Sequence, residues 1–220
     1  MTILNRNAVR EALKVYFIMG SPNCMDQPTH VLREAIEGGI TLFQFREKGT
    51  AALTGDKKIE LAKELQKICR EYQIPFIIND DIELAIALHA DGVHIGQEDE
   101  PIEEVRKKIG FDKIIGVSVH SFDEAISALK GGADYFGIGP VFPTTTKADA
   151  KPSNGTKLIE ELRARGLGIP IVGIGGITAE NAGSVMRAGA DGVSVITAIS
   201  HAESVIEAAK NLSNSVIESI

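Results

Sequence analysis

The sequence predicts a single (β/α)8 barrel, a TIM barrel, that spans residues 1–220 as one domain with no linker or break in composition. Short apolar segments alternate with longer amphipathic segments along the chain. Most of the short segments are continuous runs of β-branched or aromatic residues, which is typical of strands buried on both faces of a parallel sheet. A length of 220 residues suits one such barrel. A doubly wound open sheet is the main alternative, but its Gly-x-Gly-x-x-Gly motif does not follow the first strand, where Met19-Gly20-Ser21-Pro22 stands.

The alternation predicts eight strands and eight helices. The short apolar runs place the strands, in order, at Val15–Gly20, Thr41–Arg46, Phe76–Asn79, Gly92–Ile95, Lys113–Ser118, Tyr135–Gly139, Ile169–Ile174 and Gly192–Ile196. Between them, apolar residues recur at helical spacing. They predict helices at Pro28–Glu37, Leu53–Tyr72, Ile82–Leu88, Ile102–Ile109, Asp123–Leu129, Lys157–Arg165, Ala179–Ala188 and Ala202–Glu218.

The joints between helices and the strands that follow them repeat one pattern, in which Ala-Asp precedes the strand. Three copies occupy residues 89–93, 132–135 and 189–193, and residues 37–40 form a looser copy. Where glycine is present, it can supply the left-handed residue that ends the helix. Because these joints lie at the N-terminal ends of the strands, we interpret Asp91, Asp134 and Asp191 as structural turn residues.

Composition excludes several classes of protein. Hydrophobic residues make up 44% and charged residues 24% of the chain, as in an ordinary globular protein. The 30 acidic and 23 basic residues give a net charge of −7 without a basic block, so we expect no nucleic-acid partner. The longest N-terminal apolar run, Val15–Met19, is too short for a signal peptide or a membrane span, so we expect a cytoplasmic protein with no membrane partner. Cys24 and Cys69 lack metal-ligand spacing and are expected to be free thiols. The sequence leaves open whether the chain forms a homo-oligomer.

The end of the second strand carries an amide and two cations on one face. Alternate strand residues share a face, so Gln44, Arg46 and Lys48 point one way while Phe43 and Phe45 point the other. A solvated strand end is the alternative interpretation. Chemistry in such barrels lies where strands run out into βα loops, and polar residues follow the other strands there too: Asn79-Asp80-Asp81, Gln97-Glu98-Asp99, Ser118-Val119-His120, Thr144-Thr145-Thr146-Lys147, Gly175-Gly176-Ile177-Thr178 and Ile196-Thr197.

Two of these acids predict a magnesium site. Asp80 and Asp99 follow neighbouring strands, and two carboxylates with room for water and substrate phosphate suit Mg²⁺. Asp81 opens a helical segment, so we interpret it as the helix N-cap and Asp80 as the ligand.

Two anion sites are predicted at the same end of the barrel. Arg46, Lys48 and Lys147 would converge on a diphosphate, and the threonines before Lys147 add hydroxyl and backbone donors. Gly175-Gly176 and Ile196-Thr197 follow the last two strands, where barrels often bind a monophosphate. A tight turn that needs glycine is the alternative for the Gly-Gly pair.

The histidines and possible nucleophiles add little to this site. His94 lies within a strand and is expected to be a packed, hydrogen-bonded interior residue, whereas His120 lies close to the predicted site. A general-base role is the alternative interpretation for either. His30, His89 and His201 are interpreted as surface residues. No Ser-His-Asp pattern or reactive Cys is evident, so chemistry that needs only cations, a metal and positioning fits best.

Taken together, these residues resemble the thiamine phosphate synthase family, over nearly the whole chain. No single motif is specific, but their combination is. The matching segments are Val15–Gly20, Gln44–Lys48, Asn79–Asp81, Asp91–Asp99, Gly116–Ser118, Gly137–Pro140, Thr144–Lys147 and Gly173–Ile177.

The resemblance implies a catalytic barrel that couples 4-amino-2-methyl-5-hydroxymethylpyrimidine diphosphate with a (carboxy-)4-methyl-5-(2-phosphoethyl)thiazole. The products would be thiamine phosphate and pyrophosphate, formed by a dissociative, Mg²⁺-assisted mechanism. Two other interpretations remain open: a thiazole tautomerase of the same superfamily, and a non-catalytic sensor of a phosphate ligand. The full set of cations and acids argues against both.

The family's roles carry over by position. The resemblance implies Mg²⁺ on Asp80 and Asp99, and catalytic roles for Arg46, Lys48, Ser118 and Lys147. A near relative would carry Glu in the middle of the threonine run, so Thr145 is expected to act through its backbone. The pyrimidine diphosphate would be held by Gln44, Phe45, Arg46, Glu47, Lys48, Asn79, Ser118 and Lys147, and the thiazole phosphate by Thr144, Thr145, Thr146, Gly176, Ile196 and Thr197.

Overall fold

Eight parallel strands close into a barrel in chain order, which confirms the predicted fold. The computed structural model describes residues 5–144, 146 and 152–219. The strands are β1 (Val15–Met19), β2 (Leu42–Phe45), β3 (Phe76–Asn79), β4 (Gly92–Ile95), β5 (Ile114–Val119), β6 (Tyr135–Ile138), β7 (Ile171–Ile174) and β8 (Gly192–Val195).

All eight strands were predicted. β3 and β4 have the predicted bounds, and the other six differ from the prediction by one or two residues at their ends. β7 begins at Ile171 rather than Ile169 because Pro170 has no N–H to donate to the ladder. β2 is one residue shorter than predicted at each end, although Thr41 N–H still donates to Val15 and Arg46 N–H to Met19.

The helices surround the strands, as the alternation predicted. Their bounds are α1 (Arg6–Leu13), α2 (Pro28–Glu37), α3 (Gly55–Glu71), α4 (Ile82–Ala87), α5 (Ile102–Ile109), α6 (Phe122–Gly131), α7 (Lys157–Ala164), α8 (Ala179–Arg187), α9 (Thr197–Ser200) and α10 (Val205–Ile217).

Three short elements were not predicted: α1, α9 and a 3-10 turn at Ser21–Asn23. The predicted start of the last helix at Ala202 was wrong. α10 begins at Val205, because Ser204 caps it by accepting a hydrogen bond from the Glu207 N–H. The predicted start of α3 at Leu53 was also too early, since Thr54 is in extended conformation.

Side chains alternate between the barrel interior and the layer under the helices. The interior cluster holds inward-facing residues such as Tyr16, Ile77 and Tyr135, whereas Phe43 and Phe45 pack in the outer layer. α1 adds Val9 and Leu13 to the interior cluster. Since β1 follows α1 directly, this helix closes the barrel at the N-terminal ends of the strands and leaves the opposite end open.

The repeated joints lie at the N-terminal ends of the strands and their Asp residues have a structural role, as predicted. Asp91, Asp134 and Asp191 each accept a hydrogen bond, at 2.8 Å, from a backbone N–H at the start of the preceding strand. Thr41 does the same for Val15 with its hydroxyl. The looser copy is therefore a fourth example of one device, and every even-numbered strand is preceded by it.

Replacing Asp191 with Ala is expected to lower the free energy of unfolding by about 2–4 kcal/mol. Asp191 pairs with both Arg10 and Arg163, and it also accepts the Ile171 N–H. Its loss leaves the partly buried Arg163 without its carboxylate. Urea denaturation measures the effect, and Asp112→Ala, the same change at an exposed position, should stay within about 0.5 kcal/mol of the parent.

Within the described part of the chain, no helix is long and apolar enough to cross a membrane.

Candidate active site

A cavity of about 850 Å³ opens at the C-terminal ends of the strands. Most of the predicted site residues line it, and they lie at or just after the ends of seven of the eight strands. They are Arg46, Lys48, Asn79, Asp80, Asp99, Ser118, Thr144, Thr146, Gly176, Ile196 and Thr197. The structure thus brings together residues that are far apart in the sequence. Thr145 and Lys147, predicted for the same site, lie outside the described residues.

The end of β2 divides its side chains between the cavity and the surrounding layers. Arg46 and Lys48 line the cavity, as the alternation predicted. Gln44 also faces inward, but it is 1% exposed and lies below the cavity, where its amide donates to Tyr16. Phe45 packs in the outer core and does not reach the cavity.

Glu47, predicted to hold substrate, faces the backbone of two loops. Its carboxylate accepts hydrogen bonds from the Ser21 N–H and hydroxyl and from the Leu53 N–H. Gly20 permits this arrangement, because a Cβ there would lie 2.1 Å from the Arg46 carbonyl oxygen. The side chains of Gln44, Phe45 and Glu47 therefore pack around the site and are absent from the residues that line the cavity.

The two acids predicted to bind magnesium lie side by side. Asp80 adopts φ +59°, a left-handed conformation that Asp tolerates better than most residues, and it forms an ion pair with Lys48. Asp99 accepts the Gly96 N–H at 2.7 Å. Burial raises the pKa of the Asp80 carboxyl, and so does the nearby Asp99, although Lys48 opposes both. A divalent cation would relieve this crowding of like charge.

Asp81 caps α4, as predicted. Its carboxylate accepts the Leu84 N–H at 3.0 Å and pairs with Lys58 at 2.6 Å. Burial works against its charged form, but these two hydrogen bonds outweigh burial and lower its pKa overall. The neighbouring acids Asp80 and Asp81 thus have separate environments.

The acids fit a cation that takes few protein ligands. Among residues 5–144, 146 and 152–219, no three His, Cys, Asp or Glu side chains gather to hold a metal. Asp80 and Asp99 supply two carboxylates, and Mg²⁺ is commonly held by one or two carboxylates together with water and substrate phosphate. The donor set therefore fits Mg²⁺.

The opposite side of the cavity presents small residues and hydroxyls. The Thr144 hydroxyl bonds to Thr146, whose hydroxyl lies 3.4 Å from that of Thr197 at the start of α9. Gly175 and Gly176 have φ of +94° and +64°. A Cβ on Gly176 would meet the Pro143 carbonyl oxygen at 2.6 Å, so this turn also needs glycine to pack against the loop after β6.

A chain of polar side chains crosses the barrel beneath the cavity, and its last two members, His94 and Ser118, line the cavity. Gln44 Nε2 lies 2.5 Å from the Tyr16 hydroxyl, which lies 2.8 Å from that of Tyr135. His94 Nδ1 is 2.9 Å from Tyr135, and His94 Nε2 is 2.9 Å from Ser118 Oγ. The prediction that His94 is a packed, hydrogen-bonded interior residue is confirmed. We refer to these five side chains as the polar chain.

Several cavity residues were not identified from the sequence. Ser194 is 1% exposed, lines the cavity, and its hydroxyl has no hydrogen-bond partner among the described residues. It lies two residues before Ile196, so alternation along β8 could have identified it. His201, predicted as a surface residue, is exposed but lies at the edge of the cavity with His120.

Neither cysteine competes as a nucleophile. Both are free thiols, as predicted. Burial, with added repulsion from Glu47 and Asp26, raises the pKa of Cys24 to about 12, and burial raises the pKa of Cys69 as well. Since the thiolate is the reactive form, both are inert near neutral pH.

Comparisons with known proteins agree with this cavity. The family model described as "Thiamine monophosphate synthase" matches residues 15–199. Thiamine-phosphate synthase of Bacillus thuringiensis (strain Al Hakam) is 59% identical over 220 residues, covering all of both chains. The structure of thiamine phosphate pyrophosphorylase from Pyrococcus furiosus matches with a TM-score of 0.85 and 38% identity, over 96% of this chain and 99% of that chain.

A more distant structure, described as native KDPGal, shares only the fold. It matches with a TM-score of 0.68 at 15% identity over 94% of each chain. The more similar matches extend over the whole barrel and all the strand ends that form the cavity. With its cation-lined and acid-lined rim and its full-length relatives, the chain belongs to the thiamine monophosphate synthase family of enzymes.

Proposed function

We propose that this enzyme joins a hydroxymethylpyrimidine diphosphate to a thiazole phosphate and releases thiamine phosphate and pyrophosphate in a dissociative reaction. The observation that carries the proposal is the division of one cavity into two unlike ends. Cations and paired acids lie at β2, β3 and β4, and glycines and hydroxyls lie at β6, β7 and β8. Two substrates that each carry phosphate would lie between these ends.

The pyrimidine diphosphate would bind at the first end. Arg46 and Lys48 would face its diphosphate, and Asn79 and Ser118 would hold the pyrimidine. Lys147 is proposed to bind the same diphosphate. A diphosphate carries several negative charges, and charge-assisted hydrogen bonds to it are about twice as strong as neutral ones. Because the chain as a whole has a net charge of −7, which would repel an anion, binding of the diphosphate depends on this local group of cations.

Asp80 and Asp99 would hold Mg²⁺ beside the diphosphate. When bound, the ion would neutralise charge on the leaving group and orient it. In the structure Lys48 pairs with Asp80. On substrate binding, we expect the Lys48 ammonium to exchange this carboxylate for a phosphate oxygen, since both are anionic acceptors at the same end of the cavity.

The thiazole phosphate would bind at the other end. The hydroxyls of Thr144, Thr146 and Thr197 are grouped there. Backbone N–H groups near Gly176 and Ile196 would add donors to a phosphate. Thr145 would add a backbone contact. The glycine conformation at 176 allows close approach of the main chain to a ligand.

The reaction needs no protein nucleophile. The bond between the pyrimidine methylene carbon and the diphosphate oxygen breaks, and its electron pair leaves with pyrophosphate. The resulting carbocation is captured by the lone pair of the thiazole ring nitrogen, which forms the new carbon–nitrogen bond. Arg46, Lys48 and Lys147 stabilise the departing charge, and the cavity walls exclude the water that would otherwise capture the cation.

A coupling assay tests the proposal. The protein is mixed with the pyrimidine diphosphate, the thiazole phosphate and Mg²⁺, and thiamine phosphate and pyrophosphate are measured together. Equal, Mg²⁺-dependent formation of both is expected. Isomerisation of the thiazole phosphate without coupling would support the tautomerase alternative, and binding without turnover would support the sensor.

A further inference from the structure

The polar chain beneath the cavity has one end at Gln44 and the other at Ser118, which lines the cavity. We infer that Tyr16 and Tyr135 are positioning residues that hold His94 as the neutral tautomer with its hydrogen on Nε2, so that Ser118 directs its hydroxyl hydrogen at an acceptor atom of the pyrimidine diphosphate. The inference rests on the proposed binding of that substrate at Ser118.

The direction of the hydrogen bonds follows from their first member. Gln44 Nε2 is an amide nitrogen, which can donate hydrogen bonds but cannot accept them. It therefore donates to the Tyr16 oxygen. The Tyr16 hydroxyl has one hydrogen, and Tyr135 is its only further partner among the described residues. Tyr16 therefore donates to Tyr135.

The same reasoning continues to the cavity. The Tyr135 hydroxyl accepts from Tyr16, so its own hydrogen goes to His94 Nδ1. A neutral imidazole that accepts at Nδ1 carries its hydrogen on Nε2, and this hydrogen is donated to Ser118 Oγ. Within the described part of the chain, the Ser118 hydroxyl hydrogen then has no protein acceptor and is available to a substrate atom.

The reverse direction would leave a buried donor unpaired. If His94 Nδ1 donated to Tyr135, then Tyr135 would donate to Tyr16, and the Tyr16 oxygen would accept twice. The Tyr16 hydrogen would have no acceptor among the described residues, although Tyr16 is 1% exposed. Leaving a buried donor unpaired is costly, so the forward direction is favoured.

Packing keeps the polar chain in place. Tyr135 is fully buried and His94 is 8% exposed. Space for their rings is made by two glycines: a Cβ on Gly116 would lie 2.0 Å from the Tyr135 ring, and one on Gly137 would lie 3.0 Å from His94 Cε1. Burial also raises the pKa of both tyrosines, so their hydroxyls keep the hydrogens that the chain requires.

The arrangement suits a reaction that forms a carbocation. Because His94 lines the cavity, its neutral tautomer would add no positive charge beside a substrate whose methylene carbon becomes cationic. At the same time Ser118 offers a donor of fixed direction, which orients the substrate. The polar chain thus supplies orientation without charge.

A double-mutant cycle tests whether Tyr135 acts through Ser118. Tyr135→Phe removes only the hydroxyl, and we expect kcat/KM for the pyrimidine diphosphate to fall about tenfold while KM for the thiazole phosphate stays unchanged. In a Ser118→Ala background the same change should have little further effect. Tyr72→Phe, on an exposed tyrosine, is the matched control and should behave as the parent. Two results would overturn the inference. One is a double mutant whose kcat/KM is lowered by the product of the two single-mutant factors, and the other is a Tyr135→Phe variant whose kinetic constants change equally for both substrates.

Nitrogen-15 NMR of labelled imidazole tests the tautomer without any turnover. The His94 signals are assigned by their loss in His94→Gln. The parent protein should show a protonated Nε2 and an unprotonated Nδ1, and Tyr135→Phe should shift this balance. Protonation at Nδ1 in the parent would refute the inference even in a protein that couples both substrates normally. If coupling were absent but the tautomer were as stated, the proposed function would fail and the hydrogen-bond assignment would stand.

Discussion

Asp80→Asn is expected to lower the coupling rate by about 10²–10³-fold and to raise the Mg²⁺ concentration needed for half-maximal rate. The substitution keeps the size of the side chain but removes one of two adjacent carboxylates at the cavity edge. Asp99 alone would then hold the ion, and Lys48 would lose its partner. Initial rates measured across a Mg²⁺ titration separate the two effects. An unchanged Mg²⁺ dependence would place the ion elsewhere.

Asp81→Asn is the matched control for this experiment. It makes the same change at the adjacent residue, where the carboxylate caps α4 and pairs with Lys58 instead of lining the main cavity. Asn is also a good N-cap, so stability should change little. We expect a normal Mg²⁺ dependence for this variant. A shift equal to that of Asp80→Asn would mean that the effect arises from net charge and not from a bound ion.

Lys147→Ala is expected to lower turnover by about 10²–10³-fold, a typical cost of losing one group that stabilises developing charge. In the proposed reaction Lys147 neutralises the departing diphosphate, together with Arg46 and Lys48. Its removal should lower kcat more than it raises KM, because the interaction strengthens as the bond breaks. Single-turnover measurements with the pyrimidine diphosphate give the rate of the chemical step.

Binding of the second substrate distinguishes this role from general damage to the site. Calorimetric titration with the thiazole phosphate should give the same affinity for Lys147→Ala as for the parent. Lys157→Ala removes an exposed lysine from the first position of α7 and serves as the control for loss of charge. Near-normal turnover in Lys147→Ala would refute the role, and a lost affinity for the thiazole phosphate would assign the lysine to the other end of the cavity.

Local sequence patterns predicted most of the fold, because burial and backbone conformation within a strand or a turn depend mainly on residues that are close in sequence. Continuous apolar runs located all eight strands, and the alternation along β2 correctly separated Arg46 from Phe45. The Asp of each repeated joint was correctly interpreted as structural. The short α1 was missed because eight residues carry little periodic signal, even though Asn5 caps it.

Other features depended on partners that no local pattern specifies. The family resemblance implied that Glu47 binds substrate, yet its carboxylate accepts hydrogen bonds from Ser21 and Leu53 on two different loops. Thr41 did not match the Ala-Asp pattern, yet it performs the same function for β1. In both cases the role of the side chain could not be assigned until the backbone groups that it contacts, which are distant in sequence, were known.

From sequence alone it follows that the chain is a parallel barrel whose polar residues gather at the C-terminal ends of the strands, since periodicity and strand direction are enough to establish both. Closure of the barrel was needed to show which of these residues meet. Closure sets Lys48 against Asp80, beside Asp99, and links Tyr16 to Tyr135 across 119 residues of sequence. Such pairings depend on the three-dimensional path of the whole chain, because hydrogen bonds and ion pairs act over a few ångströms of space regardless of separation in sequence.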